Sequence, residues 1–267
     1  MSMFKSLDGK KLAIGLVHLK PLPGTPLYQE GDLELSIEKA LKDTEALIKG
    51  GADGCLVQSV DKIYPSTDDT DYARVAGIAL VTNEVRKLAG PDFKIGIQLM
   101  WNCITPSLAV AKVCKADFTR CTAMLGTTSS NFGTIEANPM KVQSYRRYIG
   151  AQDVDMIAEI SGYHFHAGEY DKGHIQTLAQ SAMTVGADAV EIMSRDEELN
   201  NRMVEDIKAL PGNIPVVLGG GTNLENVKRR MKYADAALVG ACFEGNNWGG
   251  NIDPEIVKEY VGLLRSI

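Results

Sequence analysis

Short apolar runs rich in β-branched residues alternate along this chain with longer stretches whose apolar positions recur at helical spacing. The runs at 12–17, 54–58, 94–100 and 117–121 read as strands, as do those at 155–160, 189–193, 215–218 and 236–239. Between them, 33–49, 72–88, 175–185 and 197–210 carry the amphipathic pattern of helices, with Ala40, Leu41, Leu47 and Ile48 gathering on one side of the first. Strand and helix alternating in this way predict a parallel sheet. Eight such units predict closure as a single (β/α)8 TIM barrel over residues 1–267 rather than an open doubly wound sheet.

A recurring tripeptide sharpens the count. Gly51-Ala52-Asp53, Lys115-Ala116-Asp117, Gly186-Ala187-Asp188 and Tyr233-Ala234-Asp235 each precede a predicted strand, the second, fourth, sixth and eighth. A small residue ends the helix and the aspartate sits in the tight turn that follows. Recurrence at every even strand points to a fold built from pairs of βα units. The chain has no low-complexity segment and no linker, so one domain is expected.

Composition narrows the function classes. Lys plus Arg total 28 against 34 Asp plus Glu, a formal net charge of -6. A basic footprint for nucleic acid is therefore absent. No apolar stretch approaches the length of a membrane span, and the N-terminus lacks the apolar region of a signal peptide. The five cysteines, Cys55, Cys103, Cys114, Cys121 and Cys242, form no C-x-x-C pair. They read as reduced thiols of a cytoplasmic protein. Barrels of this kind often form homo-oligomers, and no segment marks an interface.

In such barrels the site lies in the loops after the strands. His18 closes the first predicted strand, Gln58 ends the second, Gln98 lies in the third and Asn102 follows it. Arg120 sits in the fourth, Glu159 in the fifth and Glu191 in the sixth. A charged group inside an apolar strand is costly unless paired, so this series points to a polar cavity. The plainer reading pairs Arg120 with Glu159 or Glu191 as a structural network. His18, Glu159 and Glu191 are the candidates for proton transfer; Gln58, Gln98, Asn102 and Arg120 are the candidates for orienting substrate.

The clearest ligand signal is Gly219-Gly220-Gly221-Thr222-Asn223, between the seventh strand and a helix expected to begin near Leu224. Glycines let backbone N–H groups approach an anion, and a helix N-terminus adds partial positive charge. Gly240 and Ala241 end the eighth strand, and barrels that bind phosphate after strands seven and eight use this pairing. Residues 245–250, around Trp248, read as a mobile loop over the site. His164 and His166, flanked by Glu159 and Glu169, have a composition that suits a divalent metal such as Zn²⁺, against the simpler reading of a solvated loop. Cys103 and Cys121 have no evident base and read as packing. Arg146 and Arg147 read as helix surface. No motif calls for an organic cofactor: P-loop, G-x-S-x-G and nicotinamide fingerprints are absent, and no strand lysine suits a Schiff base.

The residues 14–24, Ile-Gly-Leu-Val-His-Leu-Lys-Pro-Leu-Pro-Gly, resemble the N-terminal signature of the BtpA/SgcQ family. The resemblance continues at 50–54, 118–120, 188–190, 215–221, 225–227 and 234–240, so it covers nearly the whole chain. It implies a ribulose-phosphate-binding type of barrel. Some members are named for biogenesis or stabilisation of photosystem I, others for sugar metabolism or nucleosidase-like roles. This chain departs from the pattern in several places. Gln58-Ser59 replaces Glu-Asn, and Gln98, Trp101 and Cys103 stand where the family has Asn, Arg and Asp. Arg120-Cys121-Thr122 replaces Arg-Val-Asn, and Glu159-Ile160-Ser161 replaces Asp-Val-His. His18, Asn102, Arg120 and the glycines persist.

Three functions are thus expected to compete. The first is an enzyme acting on a small phosphorylated, sugar-type metabolite by isomerase, lyase or glycosidic-bond chemistry. The second is a non-catalytic accessory factor in photosystem I biogenesis. The third is a metal-dependent hydrolase using His164 and His166.

Overall fold

The computed structural model describes residues 2–4, 7, 9–162 and 170–267. In chain order the elements are β1 (Leu12–His18), α1 (Asp32–Gly50), β2 (Gly54–Gln58), α2 (Tyr72–Ala89), β3 (Lys94–Gln98) and α3 (Ile104–Cys114). Then come β4 (Phe118–Cys121), β5 (Thr127–Ser130), β6 (Gly133–Glu136), α4 (Pro139–Tyr148), β7 (Asp155–Ser161) and α5 (Lys172–Thr184). The last are β8 (Ala189–Ile192), α6 (Glu197–Lys208), β9 (Val216–Leu218), α7 (Val227–Arg230), β10 (Ala236–Val239) and α8 (Pro254–Arg265). Eight parallel strands close in the order β1-β10-β9-β8-β7-β4-β3-β2. This is the (β/α)8 barrel that the strand count predicts.

Period-two alternation divides the strand side chains between two cores. The outward set packs with the helices, as Ala13, Val17, Val57, Ile95, Ile97 and Val190 do. The inward set fills the barrel with Leu12, Ile14, Leu16, Leu56, Phe118, Ile157, Ala189, Val217, Ala236 and Leu238. Met3 and Phe4 plug this interior at the N-terminal end. There Asp155 accepts hydrogen bonds from Ser2 Oγ and Met3 N, and burial pushes its carboxyl up to about 6. Carried one step further along each strand, the same inward parity gives His18, Gln58, Gln98, Arg120, Glu159, Glu191, Gly219 and Gly240. The last inward position of every barrel strand is thus polar or glycine.

The recurring aspartates form a four-fold clamp at the opposite, N-terminal face. Asp53 accepts from Ala13 N, Asp117 from Ile95 N, Asp188 from Met156 N and Asp235 from Val216 N. Each aspartate before an even barrel strand thus holds the first turn of the odd strand beside it. Each is also paired to a cation from an even helix: Arg265, Arg86, Arg146 and Lys208 respectively. Arg146 is consequently not the helix-surface residue expected. It is buried, and its guanidinium also donates to the carbonyls of Ala151, Val154 and Gly186.

The antiparallel hairpin β5–β6 interrupts the alternation between β4 and α4. It carries Phe132 onto Tyr64 and Trp101, with ring centroids 5.2 and 5.8 Å away. A second device ties the loops after β1, β2 and β3 together. Arg74, 2% exposed, donates to Asp61 and Ser59 through its guanidinium, while Asp61 accepts from Leu22 N. Leu22 lies in the Lys20–Gly24 turn, so the buried pair fixes the segment that follows His18.

Candidate functional site

Arg120 organises the upper layer of the barrel. Its Nε donates to Glu191 Oε2 at 2.7 Å and its Nη2 to Glu191 Oε1 at 2.5 Å, a two-point contact between planar groups. The Arg120 side chain is 7% exposed and that of Glu191 0%. Nη1 reaches Gln98 Oε1 at 3.5 Å, and Gln58 Nε2 donates to the same oxygen at 2.8 Å. Gln98 Nε2 in turn reaches Thr122 Oγ1. The sequence placed these residues in one layer by strand position, and hydrogen bonds join them.

Glu159 is the unsettled member. Its carboxylate lies 3.8 Å from Arg120 Nη2, beyond hydrogen-bond reach, and neither oxygen has a hydrogen-bond partner among the described residues. Burial pushes its carboxyl up to about 8; Arg120 works against that rise and Glu191 adds to it. Two carboxyls around one guanidinium thus differ in setting: Glu191 makes both hydrogen bonds to the cation, and burial favours the protonated form of Glu159. The unfolded chain releases that proton near the ordinary 4.5 and the folded chain near 8. Folding stability therefore declines as pH rises through that interval. In Glu159→Gln the decline is expected to flatten, read as urea midpoints at pH 5, 7 and 8.5. Parallel curves for the two proteins would contradict the assignment.

His18 enters the site from β1. Its Nδ1 lies 2.8 Å from Glu244 Oε1, and both side chains are buried. Glu244 escaped the sequence reading because it lies five residues past β10, at the point where the apolar run 236–243 gives way to a glycine- and asparagine-rich loop. The other Glu244 oxygen accepts from Gly249 N at 3.1 Å. Trp248 sits against the imidazole with ring centroids 5.3 Å apart. The 245–250 segment therefore does lie over the site.

A cavity of about 310 Å³ opens beside His18, lined among others by Met193, Gly219–Asn223, Gly240–Cys242 and Trp248. It gathers the glycine loops after β9 and β10, but the three glycines after β9 differ in purpose. Gly219 N donates to Ile192 O at 3.0 Å and so belongs to the sheet rather than to an anion. A Cβ there would lie 1.9 Å from Glu191 Oε1, so the residue is glycine to admit that carboxylate. Gly220 and Gly221 have φ of 155° and 76°, and no described residue accepts a hydrogen bond from their N–H groups or from that of Ala241. The expected helix dipole is weaker than anticipated, because α7 begins at Val227 and runs four residues. Arg230 supplies a nearby cation instead: buried, it donates from Nη1 to Gly221 O and from Nη2 to Ser194 O behind the loop.

The remaining candidates separate cleanly. Asn102 accepts from Ala123 N at 2.7 Å and directs its NH₂ to Ala123 O, so its amide braces the loop after β4. Burial pushes the Cys55 thiol up to about 12 and raises those of Cys103 and Cys121, which suits packing and not nucleophilic attack. His164 and His166 lie outside the described residues. Among the described residues no three His, Cys, Asp or Glu side chains gather as a metal site. No described helix is long and apolar enough to cross a membrane.

The BtpA family model matches residues 9–266. The chain belongs to the BtpA family. Among its relatives, an uncharacterized protein of Archaeoglobus fulgidus is 30% identical over 259 residues, covering 96% of this chain and 99% of that one. The photosystem I biogenesis protein BtpA of Synechocystis is 27% identical over 270 residues, covering 99% and 91%. Among solved structures, phosphoribosyl anthranilate isomerase from Thermotoga maritima aligns with a TM-score of 0.58 at 11% identity, over 96% of this chain and all of that one. KGPDC from Streptococcus mutans aligns at 0.59 and 12%, covering 96% and 98%. At such identities the likeness to solved structures concerns the fold.

Proposed function

We propose that this BtpA-family protein is an enzyme acting on a small phosphorylated, sugar-type metabolite. The observation that carries the reading is the union of two features at one barrel mouth. One is a glycine-walled cavity with backbone N–H groups that have no partner among the described residues. The other is a buried carboxyl, Glu159, without a hydrogen-bond partner among the described residues and set against the Arg120–Glu191 pair. The phosphate would sit on the N–H groups of Gly220, Gly221, Gly240 and Ala241, with Arg230 behind the loop. A cavity of about 310 Å³ is at the small end of ligand sites and suits a single phosphosugar unit. Further support comes from the fold neighbours: one phosphoribosyl anthranilate isomerase was solved in complex with a reduced carboxyphenylamino-deoxyribulose phosphate.

In the chemistry this arrangement would perform, Glu159 donates a proton to a substrate oxygen. His18 Nε2, opposite the ring nitrogen held by Glu244, accepts one. Arg120, with Gln58 and Gln98 beside it, orients hydroxyl or carbonyl oxygens. A matched acid and base of this kind serve isomerase, lyase and glycosidic-bond reactions alike. Gly219 has no part in the anion cradle.

Pentose and hexose phosphates at millimolar concentration are expected to raise the melting temperature, because a ligand held by the native state stabilises it by mass action. The unphosphorylated sugars are expected to leave it unchanged. Equal shifts for both, or none, would overturn the phosphate assignment.

A further inference from the structure

We infer that Glu244 is a positioning residue that couples His18 to the Trp248 loop, so that one carboxylate both orients the base and holds the cover of the cavity in place. The inference deepens the proposed function and rests on it for the role of His18. Three contacts carry it. Glu244 Oε1 meets His18 Nδ1 at 2.8 Å, Glu244 Oε2 accepts from Gly249 N at 3.1 Å, and Trp248 lies on the His18 ring at 5.3 Å. Loop, carboxylate and imidazole thus form a closed circuit.

The chemistry follows from the number of acceptors. A carboxylate is acceptor-only, so with Glu244 ionised the hydrogen at Nδ1 stays on the ring and His18 is fixed in the Nδ1–H tautomer. Nε2 then keeps its lone pair. Among the described residues the His18 ring is hydrogen-bonded through Nδ1 alone, and His18 lines the cavity. In the proton step, the substrate bond to hydrogen breaks and the Nε2–H bond forms. The imidazolium is then held against the Glu244 charge, and Glu244 itself takes no proton. The second oxygen meanwhile ties down Gly249, beside Trp248. Gly245, Asn246 and Gly249 have φ of 61°, 62° and 79°, so the segment reverses direction sharply and returns to its own Glu244. Glutamine at this position can accept from one of the two donors but not serve both as the carboxylate does, whereas aspartate keeps both oxygens on a shorter arm.

The chain has four histidines and two tryptophans, which makes both ends of the circuit observable. Long-range ¹H–¹⁵N imidazole spectra, with His18→Asn to assign the signal, are expected to show the Nδ1–H tautomer in the wild-type protein. They are expected to show a mixture of tautomers in Glu244→Gln. In a Trp101→Phe background, Trp248 emission is expected to shift to the red and its anisotropy to fall in Glu244→Gln and Glu244→Ala, with recovery in Glu244→Asp. Binding of ribose 5-phosphate, followed by calorimetry, is expected to weaken at least tenfold in Glu244→Ala. Unchanged tautomer and unchanged Trp248 emission in a folded Glu244→Gln protein would overturn the inference. If no variant, nor the wild type, binds a phosphosugar while tautomer and emission respond, the phosphate reading falls and the coupling stands.

Discussion

Arg120→Met is expected to destabilise the protein by about 3–5 kcal/mol, the usual consequence of stripping the partner from a buried charge. Arg120 is the cation that Glu191 contacts with both oxygens and that holds down the rise at Glu159. Without it, Glu191 must either keep an uncompensated charge in a site that is 0% exposed or take up a proton at neutral pH. For a chain of this size the loss corresponds to a melting temperature lower by about 10 °C, at roughly 2–4 °C per kcal/mol. Arg120→Met/Glu191→Leu is expected to recover much of the stability, because the bidentate pair is replaced by two apolar groups and Glu191 is no longer left without its cation. Phosphosugar recognition is expected to stay lost in both. Calorimetric melting of the two variants checks this; equal destabilisation of single and double variants would contradict it.

Gly219→Ala is the second large effect. The added methyl would lie 1.9 Å from Glu191 Oε1 and 2.7 Å from its Cδ, and Glu191 is pinned by two hydrogen bonds to Arg120. Overpacking of this kind typically costs about 1–3 kcal/mol, and displacing a paired buried carboxylate adds to it. The expected result is a loss of at least about 3 kcal/mol, the upper end of overpacking alone, because the disturbed ion pair adds to it. Removal of the carboxylate in Gly219→Ala/Glu191→Ala is expected to be less harmful than the sum of the single changes, since the clash disappears. Strict additivity in urea unfolding would show that Gly219 and Glu191 do not compete for the same space.

The barrel was legible from the chain because three independent signals agreed: eight apolar runs, helical periodicity between them, and Asp53, Asp117, Asp188 and Asp235 before the even strands. Even the upper ring could be read, since polar residues in apolar strands are conspicuous. What escaped was everything set by the fold between distant segments. The cations that complete the aspartate clamps come from helices 27–212 residues away in sequence, and no local pattern announces Arg146 or Arg265 as their partners. In the hairpin β5–β6 Ile135 is the one apolar strand residue, so the apolar alternation that marks a half-buried strand is missing. Arg230 ends the charged run Lys228-Arg229-Arg230, where one more cation is unremarkable, and Glu244 begins the glycine- and asparagine-rich loop that follows the apolar run 236–243. Gly219, Gly220 and Gly221 were indistinguishable as a run of three; only the approach of Glu191 gives the first a different cause from the others. Nothing local showed that Ala123 would engage both ends of the Asn102 amide.

The central claim is that an anion is held by the loops after β9 and β10, at the end of the barrel that carries His18, Arg120 and Glu159. A second cavity, about 600 Å³ and lined in part by Lys10, Asp53 and Lys94, opens at the opposite end and makes the claim testable by location. The direct measurement is amide spectroscopy of protein labelled at glycine and alanine with ¹⁵N, titrated with ribose 5-phosphate and with ribose. The account predicts the largest shifts at Gly220, Gly221, Gly240 and Ala241 with the phosphate alone, and smaller ones at Gly219, whose N–H stays on Ile192. Shifts concentrated near Gly51 and Ala52 at the other end, or an equal response to unphosphorylated ribose, would contradict it.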